Sequence, residues 1–158
     1  MKITAQEEYG IRILLRIANS QKTEGLPIPQ LSEFEGLSQH YTAKLCRILR
    51  MAGFIKSTRG KDGGYFLAYP AKEININKVL TSLGGRLYSE EFCNNHRGQL
   101  KNCCHSCGCS VRSLWQIVQD AVDNILDQYT LQDLINSENG ISGKSLPNFS
   151  KLVNTDSL

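Results

Sequence analysis

Five of the six cysteines in this chain of 158 residues, Cys93, Cys103, Cys104, Cys107 and Cys109, fall within the seventeen residues CNNHRGQLKNCCHSCGC. Thiols at that density suit three chemistries. Soft sulfur donors converging from one segment can hold an iron–sulfur cluster. The CHSC unit at 104–107 has the C-x-x-C spacing that binds zinc, and the same spacing can cycle as a disulfide. Residue types alone leave iron–sulfur and zinc level. His96 and His105 could add ligands in any of these, although a histidine in such a segment is more often only solvated. Cys46 stands apart in an apolar-patterned stretch and reads as a small packing residue.

The compartment bears on that choice. No run of about 18 apolar residues is present, so no membrane span is expected. Lys2, Glu7, Glu8, Arg12 and Arg16 interrupt the apolar positions of the first twenty residues, which is wrong for a secretory signal. The expected location is cytoplasmic, where a reducing environment disfavours structural disulfides and favours metal binding or redox chemistry.

Hydrophobic content of 41% and charged content of 21% are globular values, and the length suits one core with an appended dimerisation element. The net charge of +3 hides an asymmetry, since residues 1–70 carry +4 and residues 71–158 carry −1. Lys44, Arg47, Arg50, Lys56, Arg59 and Lys61 fall between 41 and 61 without a single acid. A basic stripe on a nearly neutral protein points to a polyanion docked at one place. A solvated helix face is the plainer alternative.

The elements that must position these groups follow from periodicity. Ile11, Leu14, Leu15 and Ala18 predict an amphipathic helix over about 3–20. Gly25, Pro27 and Pro29 break it, and a short helix follows with Ile28, Leu31 and Phe34 on one side, stopped at Gly36. Ser38 is a plausible N-cap for a third helix to about Ala52, with Tyr41, Leu45, Ile48, Leu49 and Ala52 inward. Gln39, Ala43, Arg47 and Arg50 then share the outer side. FIKST and YFLAY around RGKDGG predict a hairpin with Arg59 and Lys61 at its tip. The expected fold is mainly α with a small β-hairpin: a winged helix-turn-helix domain plus a long dimerisation helix.

A further short helix is expected over about 76–84, ending at Gly84-Gly85. Val111, Trp115, Val118, Val122, Ile125 and Tyr129 recur at alternating four- and three-residue spacing, the seam of a helix packed lengthwise on another. Thr130 to Ile135 can add a capped last turn. The expected organisation is therefore a DNA-binding domain over 1–84, a cysteine-rich loop over 85–109, which the resemblance described next makes a cluster-binding loop, a dimerisation helix over 110–135 and a flexible tail over 136–158.

LSQHYTAKLCRILRMAGFIKSTRGKDGGYFLA and the opening MKITAQEEYGIRILLRIA resemble the helix, Gly-Gly-Tyr wing and start of the IscR/NsrR/CymR family of bacterial regulators. The third loop cysteine six residues before a tryptophan, Cys109 and Trp115, is part of the same likeness, which covers residues 1 to about 135. It implies a homodimeric transcription regulator that binds a pseudo-palindromic operator in double-stranded DNA, and no enzyme. Cluster-bearing members hold iron–sulfur with three loop cysteines and a fourth ligand, and other members lack the cysteines.

The resemblance tips the metal reading towards an iron–sulfur cluster. Cys103 and Cys109 match the second and third ligand positions, and Cys93 takes the first across a longer gap than relatives have. Cys104 or Cys107 could replace Cys103. The histidine that one branch uses three residues after the third cysteine is Arg112 here, which cannot ligate. Another branch uses a carboxylate from the first helix of the partner subunit, and that position holds Glu8. With Glu8 rather than the histidine, a 4Fe–4S cluster is favoured over 2Fe–2S. The expected signal is redox state, nitric oxide or iron. For DNA, Ser38, Gln39, Tyr41 and Thr42 start the reading helix, with Lys44 and Arg47 on its flank and Arg59 and Lys61 in the wing. Gln39 and Thr42 are the candidates for base edges, while the Lys and Arg residues grip phosphate. Ala43 replaces an acid found in several relatives, so their operator need not apply. The rivals are a zinc-stabilised or thiol/disulfide-switched regulator or interaction module, and a thiol redox enzyme, which would need a βαβ context absent from these helical surroundings.

Overall fold

A computed structural model describes residues 3–20, 25–58, 63–89, 92–95 and 108–135, without the side chains of Cys93 and Asn94. Arg59, Lys61, His96, Cys103, Cys104, His105, Cys107 and the expected tail lie outside the described residues.

Helix α1, Ala5–Ala18, begins at a capping box: Thr4 accepts from the Glu7 amide while the Glu7 carboxylate accepts the Thr4 N–H at 2.8 Å. Its buried side is Gly10, Ile13, Leu14 and Ile17, so that of the expected stripe Leu14 is buried while Ile11, Leu15 and Ala18 border the core. Those three are half-buried, because α1 is flanked on several sides and its inward face is wider than one row of residues.

Helix α2, Ile28–Glu35, ends at Gly36, whose φ of 64° is a left-handed cap that an L side chain resists. Leu31 is buried as expected, but Phe34 is 51% exposed and lies under the Arg16 guanidinium, 5.2 Å from its centroid. Buried Glu35 takes Arg12 Nε at 2.8 Å and Arg16 Nε at 2.9 Å, tying the end of α2 to α1. Three residues later α3, Gln39–Met51, starts from Ser38 and turns Leu45, Cys46 and Leu49 into the core. Ala52, expected inward, is exposed beyond the helix end.

Strands β1, Ile55–Ser57, and β2, Tyr65–Leu67, pair antiparallel, Lys56 opposite Phe66. Leu26 adds an unexpected third partner, exchanging both backbone bonds with Tyr65 at 2.9 and 2.8 Å. That contact explains the glycine just before Tyr65. A Cβ at Gly64 would stand 2.6 Å from the Gly25 carbonyl carbon and the Leu26 nitrogen, so only glycine lets the two backbones meet.

A 3₁₀ turn, Ala71–Glu73, leads to α4, Ile76–Ser82, capped by Asn75. Then come α5, Phe92–Asn95, α6, Ser110–Leu126, and α7, Leu131–Ile135. At the start of α7 the Asp133 carboxylate accepts both the Thr130 N–H and the Thr130 hydroxyl at 2.8 Å, which is one half of a capping box. Leu131 is fully buried in the winged domain's core, with Leu126, Tyr129, Leu134 and Ile135 packed on it. The Leu131 N–H bonds to Ile74 O at 2.8 Å and the Ile76 N–H to Tyr129 O at 3.0 Å. Leu131 and the residues packed around it thus share the core of the winged domain.

Candidate DNA interface and cysteine centre

The start of α3 is presented outward by its cap. Ser38 Oγ accepts the Tyr41 N–H at 3.2 Å, and Ser38, Gln39, Lys44, Arg47 and Arg50 are all exposed. A helix N-terminus with exposed polar side chains and flanking cations suits a groove edged by phosphates. Tyr41 is half-buried, its ring held by Tyr9 on one side and by Lys44 Nζ 5.9 Å from the centroid on another.

Thr42 is a correction. It is fully buried, and its hydroxyl finds no hydrogen-bond partner among the described residues, so it cannot touch a base edge. The sequence pattern put it at the start of a polar helix, but at about 100° per residue it falls in line with Leu45, Cys46 and Leu49. Its neighbour Cys46 is the packing residue expected. Burial pushes the Cys46 thiol up to about 12, which leaves it protonated and inert. Burial also raises the Tyr65 phenol, with Cys46 adding to the shift and Arg50 opposing it.

The wing supplies two features that sequence reasoning missed. Lys56 projects from β1 with its ammonium 6.0 Å from the ring of exposed Tyr69. At the base of the tip, Thr58 and Gly64 exchange bonds, the Thr58 N–H to Gly64 O and the Gly64 N–H to Thr58 Oγ1, both at 3.0 Å. Lys56 was visible as part of the basic stripe. Its aromatic support was not, because Tyr69 is thirteen residues away.

Of the cysteine set, Cys109 is placed in full. It is the N-cap of α6, half-buried, with its Sγ accepting the Arg112 N–H at 3.4 Å. Cys93 is the second residue of α5. Glu8 is exposed on the first turn of α1, beside Glu7, whose carboxylate is used by the cap. Glu8 lines a largely apolar cavity of about 270 Å³ with Ile3, Ile11, Leu87, Val122 and Leu126. Among the described residues no three His, Cys, Asp or Glu side chains lie close enough together to hold a metal. The donors that are placed fit a thiolate-held group. Cys109 offers sulfur at a helix start with a backbone N–H directed at it, and such bonds to sulfur tune iron–sulfur centres. Among the described residues Glu8 makes no cap bond or ion pair.

Across α6 the first turns are unusually apolar on the outside. Val111, Leu114, Trp115 and Ile117 are 59%, 53%, 44% and 67% exposed. No helix among the described residues is long and apolar enough to cross a membrane.

This arrangement of helices and wing is shared with solved regulators. The structure of CymR, the global cysteine regulator of B. subtilis, has a TM-score of 0.66 at 29% identity, covering 86% of this chain and 97% of that one. IscR from T. potens has a TM-score of 0.66 at 25% identity, covering 92% and 93%. A protein named Rrf2 from Nitratidesulfovibrio vulgaris is 34% identical over 136 residues, 85% of this chain and 87% of its own length. The names are those of regulators, in keeping with a protein that is not an enzyme. Together with a match over residues 3–137 to Rrf2, described as an iron-dependent transcriptional regulator, they establish that this winged helix-turn-helix chain belongs to the Rrf2 family of transcription regulators.

Proposed function

We propose that the protein is a homodimeric, cytoplasmic regulator that binds a pseudo-palindromic DNA operator and senses redox state, nitric oxide or iron through an iron–sulfur cluster. The observation that carries this reading is the construction of α6. It opens on Cys109 and continues at once into the solvent-facing Val111, Leu114, Trp115 and Ile117. An apolar face of that extent on a helix normally meets a partner, and a second copy of the chain is the partner that a two-fold operator requires. A group held at the start of α6 would therefore sit beside the dimer boundary.

Cys93, Cys103 and Cys109 would hold the cluster, with Glu8 from the second subunit as the fourth ligand and Cys104 or Cys107 able to stand in for Cys103. The 4Fe–4S form is favoured over 2Fe–2S. Such a cluster supplies an iron centre that oxidants, nitric oxide or iron shortage can alter or remove. The chain's own residues do the rest. Ser38, Gln39 and Tyr41 meet the major groove, and Lys44, Arg47, Arg59 and Lys61 bind phosphate. Because Glu8 lies on α1, and α1 packs on α3, a ligand bridging subunits would bias the spacing of the two reading helices. DNA then selects between spacings by the distance separating its half-sites.

The likeness to CymR, named as a cysteine regulator, favours a second reading: a thiol/disulfide-switched regulator without a cluster. Protein purified without oxygen separates the two. The cluster reading expects brown material with iron and acid-labile sulfide, and operator affinity that changes when they are removed. Material without iron and sulfide, or with zinc in their place, overturns it.

A further inference from the structure

Gln119 is the buried residue of α6, 3% exposed in a helix whose residues at 114, 115 and 117 face solvent. A buried amide is costly unless its donors and acceptor are satisfied. Here both ends are used. Its Oε1 accepts the Leu87 N–H at 2.7 Å and the Tyr88 N–H at 3.1 Å, while its Nε2 donates to Asp123 Oδ1 at 2.8 Å. Two N–H groups converging on one atom require the amide oxygen there, which leaves the nitrogen for Asp123, one turn along. Asp123 Oδ2 in turn accepts from Arg86 Nη2 at 3.1 Å.

Residues 86–88 are thereby fastened to a single turn of α6, and what lies on either side of them matters. Before them, Gly85 is pressed against Glu7: a Cβ there would stand 3.3 Å from the Glu7 side chain. Arg86 and Leu87 line the cavity that Glu8 also lines. After them, buried Tyr88 packs on Phe92, ring centroids 6.0 Å apart, and the Phe92 N–H bonds to Ser89 O at 2.9 Å. Phe92 begins α5, and Cys93 follows it. Both ends of the segment from 93 to 109 are therefore registered on α6, one through Cys109 at its cap and the other through the clamp on 86–88.

We propose that Gln119, with Asp123, is a positioning residue for the cysteine-rich segment: it fixes the point where the chain leaves α1 and α4 towards Cys93, relative to Cys109. For its consequence on metal the proposal rests on the cluster reading above. A ligand segment held at both ends loses less freedom on closing around a metal, so release of the clamp shortens the lifetime of whatever the thiolates hold.

The test uses the full chain with three changes. Gln119→Leu removes acceptor and donor at similar volume. Gln119→Glu keeps an acceptor but places a carboxylate against Asp123. Adding Asp123→Asn to the latter restores a donor towards the new carboxylate and still leaves an oxygen for Arg86.

In the metal-free protein, amide hydrogen exchange over 86–95 is expected to accelerate several-fold in Gln119→Leu and Gln119→Glu, with α3 unchanged, and to recover in the double variant. In protein loaded without oxygen, the single variants are expected to release iron to a chelator about tenfold faster, with altered visible circular dichroism, and the double variant to recover. Unaltered exchange over 86–95 overturns the clamp. Wild type holding a cluster that the single variants hold equally long overturns its action on the metal. Wild type that holds no iron under the same loading overturns the cluster reading and with it the action on metal, while the exchange measurement still decides the clamp.

Discussion

Tyr9 of α1 and Tyr41 of α3 meet edge to face, ring centroids 6.3 Å apart and planes at 88°. Arg12 covers the Tyr9 ring at 5.2 Å and Lys44 covers Tyr41 at 5.9 Å. The first reading-helix side chain that is not fully exposed is thus braced by the residue after Glu8. Aromatic pairs of this kind contribute about 0.5–1.5 kcal/mol beyond their burial. Tyr9→Leu is expected to weaken operator binding by roughly threefold to tenfold at fixed salt, although Tyr9 itself need not touch DNA. Wild-type affinity in this variant would show that Tyr41 holds its place unaided.

Thr42 sits in the core with a hydroxyl that has no partner among the described residues. A buried unsatisfied hydroxyl costs about 1–3 kcal/mol, so Thr42→Val is expected to raise stability by about 1 kcal/mol. Its operator affinity should match wild type. Loss of affinity without loss of fold would return Thr42 to the interface.

Cys46 gives the stability an alkaline dependence. The unfolded thiol releases its proton near 9.0, whereas the folded one holds it up to about 12. Between those values the unfolded state binds fewer protons and gains, so this group makes stability fall by about 1.4 kcal/mol per pH unit. Below about pH 9 the contribution is constant. Cys46→Ala is expected to be less stable at neutral pH because of the cavity, yet to show a shallower decline from pH 9.5 to 10.5 in denaturant melts, roughly by that slope. An identical slope in the two proteins would mean the thiol titrates alike folded and unfolded.

Trp115 is the largest side chain on the outer face of α6 and is 44% exposed. If a second copy covers that face, Trp115→Glu should raise the dimer dissociation constant at least about tenfold, read by sedimentation, while far-ultraviolet circular dichroism stays unchanged. A variant that sediments like wild type would move the dimer contact elsewhere.

The sequence by itself determined the element order and the class of fold. Caps at Ser38 and Thr130, the stop at Gly36, the two β-favouring runs and the helical spacings are local signals, set by backbone stereochemistry and by which side chains share a face. The basic stripe and the cysteine density were equally legible, since charge and thiol content do not depend on folding. What spacing could not give was depth. Thr42 looks like its polar neighbours, and only the packing of α1 against α3 shows that its row of the helix is the covered one.

The tertiary structure alone decided which distant groups meet. Gln119 reads as one more polar residue of an amphipathic helix until Leu87 and Tyr88, more than thirty residues earlier, point their amides at it. Glu35 reads as a solvated acid until Arg12 and Arg16 close over it. Leu131 reads as part of an appended helix until it fills the winged domain's core. In each case the residue's type is local information, but its partner is chosen by chain segments brought together only when apolar faces pack, and no periodicity carries that choice.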